Sequence, residues 1–186
     1  MVDPQSNLLV RLHKWAHRQD ENFLTESFAY VLQYLIEEEP QAASGLFRSL
    51  TDGFLNLQPV EVRAVTVRTQ IVTGEGTPDL ALRSADRLAF IEVKSESAAS
   101  SAQLEKYRKL LDESGVLHTR LVLLTRHLVD LDPANLVGVH CVRWYQVADW
   151  LEAVELELHA APIKLNTQTR MPNQCMFLRP PADTSA

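Results

Sequence analysis

Two periodicities divide the chain. Over 20–38 the apolar residues Leu24, Phe28, Val31, Leu32 and Leu35 recur at spacings of three and four, the stripe of an amphipathic helix. Pro40 is expected to end it. Glu37, Glu38 and Glu39 read as its solvated end. From Val60 the period changes to two: Val60, Val62 and Ala64 alternate with Glu61 and Arg63, and Val65 and Val67 follow. That alternation predicts a strand over 60–72. A turn over 73–77, with Gly74 and Gly76, comes next. Two further strands are predicted over 78–83 and 88–94, linked by 84–87.

A helix follows over 100–113, with Ser100 or Ser101 as its cap and Gly115 as its stop. Strands over 120–125 and 137–143 come after it. A last helix over 145–159 carries Val147, Trp150, Leu151, Val154 and Leu158. Ahead of all these, 6–18 reads as a short helix with a basic flank of Arg11, His13, Lys14, His17 and Arg18. Helix, three strands, helix, two strands and helix make a mixed α/β sheet with helices on its faces. A single domain is expected over 1–160. The stretch over 161–186 shows no period and holds Pro172, Pro180 and Pro181; a loop, a linker and part of a longer protein all fit it.

Composition narrows the class. The 186 residues are 46% hydrophobic and 23% charged, enough for a real core and inconsistent with a wholly disordered chain. Only two cysteines occur, so a disulfide scaffold is excluded and a reducing cytoplasm is expected. Cys141 falls in an apolar stretch and is expected in the core. No apolar run approaches the roughly 18 residues of a membrane span. Asp3, Arg11, His13 and Lys14 do not read as a signal peptide, so no membrane association is expected. The net charge of −6 excludes a uniformly basic coat but not a local basic groove.

The chemistry concentrates in Gly76-Thr77-Pro78-Asp79 and Ile91-Glu92-Val93-Lys94. A hairpin centred between Ala85 and Asp86 places Asp79 opposite Glu92, Leu80 opposite Ile91 and Leu82 opposite Ala89. Asp79, Glu92 and Lys94 then share one face, because residues two apart on a strand point the same way. Opposed side chains have Cβ atoms about 5 Å apart, and like charges there repel. Lys94 is one compensating charge; a divalent cation is a better one. Mg²⁺ takes hard oxygen ligands, commonly one or two carboxylates with water and phosphate oxygens.

Gln103 and Tyr107 are four apart and share a helix face that can lie over the carboxylates. Glu21 lies on the apolar stripe of its helix, so it has two readings: an acid near the metal, or a first-turn acid complementing the helix dipole with Asp20 as cap. Glu26 faces elsewhere. Arg63, Arg68, Lys106, Arg108 and Lys109 either contact phosphates or are scattered solubilising charge. Gly74-Glu75-Gly76 lacks the Lys-Ser/Thr of a phosphate loop. His13 and His17 lack a third metal ligand, and no nucleophile elbow occurs.

Taken together, Gly-Thr-Pro-Asp, Ile-Glu-Val-Lys and Gln-x-x-x-Tyr resemble the PD-(D/E)XK nuclease superfamily, the last element its RecB-like branch. The resemblance runs from about Glu21 to Leu158, including the Trp144-Tyr145 step into the last helix. It implies a restriction-endonuclease-like αβββαβ core with a mixed central sheet. It also implies a metal-dependent nuclease that hydrolyses phosphodiester bonds, in DNA rather than RNA, in bacterial defence, repair or recombination. Asp79 and Glu92 would bind Mg²⁺, for which Mn²⁺ substitutes, with the Val93 carbonyl and Glu21 as further ligands. Lys94 would serve the attacking water, and Gln103 and Tyr107 would support the site. Arg63, Arg68, Lys106 and Lys109 would contact nucleic acid. A homodimer or a partner protein is left open. The alternative is a non-catalytic nucleic-acid-binding or assembly module that keeps the fold.

Overall fold

The structure is a computed structural model and describes residues 20–71, 76–95 and 98–160. The basic helix expected over 6–18, His13, His17, most of the turn over 73–77, and the stretch over 161–186 with Cys175 lie outside the described residues.

Among the described residues, three helical segments precede the sheet: α1 (Asp20–Glu38), α2 (Pro40–Leu50) and the single turn α3 (Pro59–Val62). β1 (Thr66–Thr69), β2 (Leu80–Arg83) and β3 (Arg87–Lys94) form an antiparallel meander. α4 (Ser101–Glu113) then crosses to β4 (His118–Thr125), which runs parallel to β3. A 3₁₀ turn over Pro133–Leu136 leads to β5 (Val139–Arg143), parallel to β4, and α5 (Trp144–Ala160) closes the order. The five-stranded mixed sheet has the order β1-β2-β3-β4-β5. Among the described residues no helix is long and apolar enough to cross a membrane.

The sheet is covered on both faces. Leu80, Leu82, Ala89, Ile91 and Val93 join Leu124 and Val142 in one core, with Phe28 and Leu32 of α1, Leu46 and Phe47 of α2, and Val147 of α5. On the other face Ala81, Leu88, Phe90, Leu121 and Leu123 pack under Leu104, Tyr107 and Leu111 of α4. That two-sided burial explains why β3 reads as a nearly continuous apolar run.

One expectation is extended and two are corrected. Pro40 ends α1 as expected, and it also occupies the first turn of α2, where its missing N–H costs nothing. Ala42, Ala43, Leu46, Phe47 and Leu50 are the buried stripe of that helix. The strand expected over 60–72 is only Thr66–Thr69. Pro59 and a capping box between Gln58 and Glu61 wind the preceding residues into α3, and Val62 and Val65 reach the core at helical spacing instead. Cys141 is exposed, not core. β5 is an edge strand: its alternation buries Val142 in the first core, while Cys141, paired with Leu123, lies on the α4 side of the sheet and stays exposed at that edge.

Candidate active site

The site forms where β2 begins and β3 ends. The β2–β3 register pairs Leu80 with Ile91 and Leu82 with Ala89. One step further along it, Asp79 falls beside Glu92. Asp79 does not continue the ladder with its backbone; its Oδ2 accepts the Val93 N–H at 2.9 Å. A strand residue's N–H and C=O point to the same neighbour, so the Val93 carbonyl faces the side that Asp79 occupies.

Glu92 extends the Leu88-Phe90 row toward α4 and is 1% exposed. Its Oε1 accepts from Lys94 Nζ at 2.7 Å and from Gln103 Nε2 at 2.6 Å. Its Oε2 is buried with no hydrogen-bond partner. Gln103 Nε2 also donates to the Tyr107 hydroxyl at 2.9 Å, which donates to the Thr77 carbonyl at 2.9 Å. The Tyr107 ring is buried edge-on to Phe90, with centroids 6.4 Å apart. Against its other side runs Gly76, where a Cβ would come within 3.2 Å of Tyr107 Cε1. One turn of α4 therefore ties the loop before Asp79 to Glu92.

α1 closes the cluster from the opposite face of the sheet. Glu21, in its first turn, accepts the Ser95 N–H through Oε1 at 3.2 Å and lies 3.5 Å from Lys94 Nζ through Oε2. An acid here also complements the positive end of the helix dipole, so the two readings of Glu21 are compatible.

Among the described residues, the Asp79 and Glu92 carboxyl groups lie together beside the Lys94 ammonium, which Glu21 also approaches. Burial, and then the charge of Asp79, push the Glu92 carboxyl up to about 7, against the pull of Lys94. Burial disfavours the Lys94 ammonium, but its bond to Glu92 and the charges of Glu92, Glu21 and Asp79 outweigh that and raise its pKa. Burial also raises the Tyr107 phenol, keeping it a neutral donor.

A buried carboxylate oxygen without a hydrogen-bond partner, beside a second carboxylate, fits a hard divalent cation. Asp79, Glu92 and the Val93 carbonyl are the oxygen donors at hand. Among the described residues no group of three or more His, Cys, Asp or Glu side chains forms a metal-holding cluster. A two-carboxylate site completed by water and substrate does not require one.

The basic residues are spread out. Arg63 donates to the Glu37 carbonyl at the far end of α1, roughly 24 Å along the axis from Glu21. Arg68 lies on the exposed side of β1, and Lys106 is exposed on α4 one turn past Gln103. Lys109 pairs with Glu113 at 3.9 Å. Arg108 is spent on the carbonyls of Asn135 and Val137. Glu26 is exposed on α1.

Two site residues escaped the sequence reading. Gln70 Nε2 lies 3.4 Å from Asp79 Oδ1 and 3.2 Å from Asn22 Oδ1, and the Gln70 N–H donates to the Asp79 carbonyl at 3.0 Å. Gln70 holds a left-handed φ of 49°, uncommon for a residue with a side chain. Nothing in its sequence neighbourhood marks it, because a polar residue after a strand is ordinary. Comparisons of the chain with protein-family models, with curated proteins and with solved structures find no match.

Proposed function

We propose that this chain is a metal-dependent nuclease of the PD-(D/E)XK kind, with that superfamily's restriction-endonuclease-like core, and that it hydrolyses phosphodiester bonds in DNA. The observation that carries the reading is Glu92: buried, flanked by Asp79, bound to Lys94 through one oxygen, and unpartnered at the other. A bound Mg²⁺ or Mn²⁺ would supply Lewis acidity to the scissile phosphate and acidity to a coordinated water.

The remaining chemistry belongs to the side chains. Asp79 and Glu92 provide the carboxylate oxygens, with the Val93 carbonyl beside them. Lys94 stays an ammonium at neutral pH, so it acts as a donor that orients the attacking water and offsets charge developing on the phosphate. Gln103 fixes the Glu92 carboxylate, and Tyr107 fixes Gln103. Glu21 steadies the Lys94 ammonium and the chain at Ser95.

The test is cleavage of plasmid DNA and of linear DNA in single- and double-stranded form, with Mg²⁺ or Mn²⁺. Wild type is expected to cut; Asp79→Ala and Lys94→Ala are expected to lose cutting while keeping the fold. Equal cutting by all three, or DNA retention by wild type with no metal-dependent cutting, overturns the reading. The second result indicates a binding module instead.

A further inference from the structure

A small slot opens on the side of Lys94 away from Asp79, at the carboxyl ends of the parallel strands β3 and β4. Open α/β sheets place ligands at such strand ends. Its volume is about 170 Å³. Pockets for drug-sized molecules run to roughly 300–1,000 Å³, so this one takes a ring system and not a base pair. Ala98, Ala99 and Leu128 supply apolar walls; Ser95, His127 and Asp130 supply polar atoms.

Ser95 carries the argument for a ligand. It is 5% exposed, and its hydroxyl has no hydrogen-bond partner. A buried hydroxyl left unpaired is costly, and a ligand that bonds it removes that cost. The neighbouring Thr125 hydroxyl, by contrast, is committed to the His127 carbonyl at 2.8 Å. The occupant is uncharged. Among the described residues that line the slot, the Lys94 ammonium is directed to Glu92 and Glu21 on the catalytic side, and Asp130 opposes an anion. An apolar cleft with polar atoms along its walls matches a planar heterocycle whose edge bonds and whose faces pack. Leu128 stands at the rim with 85% of its surface exposed, an apolar face against which a neighbouring base can lie.

We propose that this slot receives one unpaired nucleobase of the strand being cut, next to the scissile phosphate, so that the substrate is single-stranded or locally unpaired DNA. The inference rests on the nuclease reading and narrows its substrate class.

The test is fluorescence anisotropy of a fluorescein-labelled single strand and of the matching blunt duplex, with Ca²⁺ as the cation. The proteins are wild type, Ala98→Phe, which fills the slot, and Leu128→Ser, which removes the rim. Both positions are exposed, so melting temperatures are expected to match wild type. Base stacking contributes about 1–3 kcal/mol, so wild type should bind the single strand about tenfold more tightly than the duplex, and each variant should lose about that factor. Equal wild-type affinity for the two DNAs, or variants that bind the single strand like wild type, overturns the slot. Cleavage is scored separately with Mg²⁺. If wild type fails to cut but shows slot-dependent single-strand binding, the nuclease reading falls and the slot stands.

Discussion

Gln103 donates to the same oxygen of Glu92 that Lys94 holds, so both restraints act on Oε1 and Oε2 is left open. Gln103 thus sets the direction of the free oxygen without occupying it. Groups that orient a metal's ligands typically matter about 10–100-fold in metal affinity. Gln103→Ala should weaken Mg²⁺ binding by that range, measured by calorimetry, while Lys94 keeps Oε1 paired and limits the stability loss to about 1 kcal/mol. Unchanged Mg²⁺ affinity in Gln103→Ala would show that the amide does not position the carboxylate.

Asp79 and Glu92 repel in the absence of a cation, and Asp79 is the second cause, after burial, of the raised Glu92 pKa. Asn at position 79 keeps an oxygen for the Val93 N–H but removes the charge. Asp79→Asn should therefore stabilise the protein in EDTA by about 1 kcal/mol, or about 2–4 °C for a chain of this size. It should also lose most of the stabilisation that Mg²⁺ gives wild type. Parallel melts with and without Mg²⁺ decide this; an equal Mg²⁺ shift in both proteins contradicts cation binding at this pair.

In the metal-free protein Glu92 titrates near 7 instead of 4.5. Between those values the folded chain holds a proton that the unfolded chain has released, so stability falls as pH rises through the window. The shift, caused by burial and then by Asp79, implies a loss on the order of 3 kcal/mol. Melting temperature in EDTA should drop from pH 4.5 to 7, and Glu92→Gln should flatten that part of the profile. A flat wild-type profile would mean that Glu92 is not held protonated.

Much of the site was legible because its geometry is short-range. The apolar pairs Leu80–Ile91 and Leu82–Ala89 and a tight connection set the hairpin register, and the register alone brings Asp79 to Glu92. Gln103 and Tyr107 follow from helical spacing. What stayed hidden depends on partners distant in sequence. Gln70 is placed by Asn22, 48 residues away, as well as by Asp79. Cys141 looked like core because its neighbours are apolar; an edge strand buries only what the adjacent layer covers. Val60, Val62 and Ala64 alternate as a strand would, yet Pro59 and the Gln58–Glu61 box act locally and decide for a helical turn.

The Tyr107 hydroxyl is the joint between α4 and the loop that delivers Asp79. It accepts from Gln103 and donates to the Thr77 carbonyl, two residues ahead of Asp79. Tyr107→Phe keeps the ring, its edge contact with Phe90 and its close packing on Gly76. Only the hydroxyl is lost, so the core should hold, at a cost of about 1–2 kcal/mol for the unpaired buried groups. Gln103 loses its second anchor and the loop its tether, and both errors converge on the carboxylate pair. The expected result is a melting point lower by about 2–8 °C, with a fall in Mg²⁺ affinity in the same direction as in Gln103→Ala. Because Tyr107 would act through Gln103, the double variant should lose less than the sum of the two singles. Strictly additive losses in that cycle would place the two residues on independent paths.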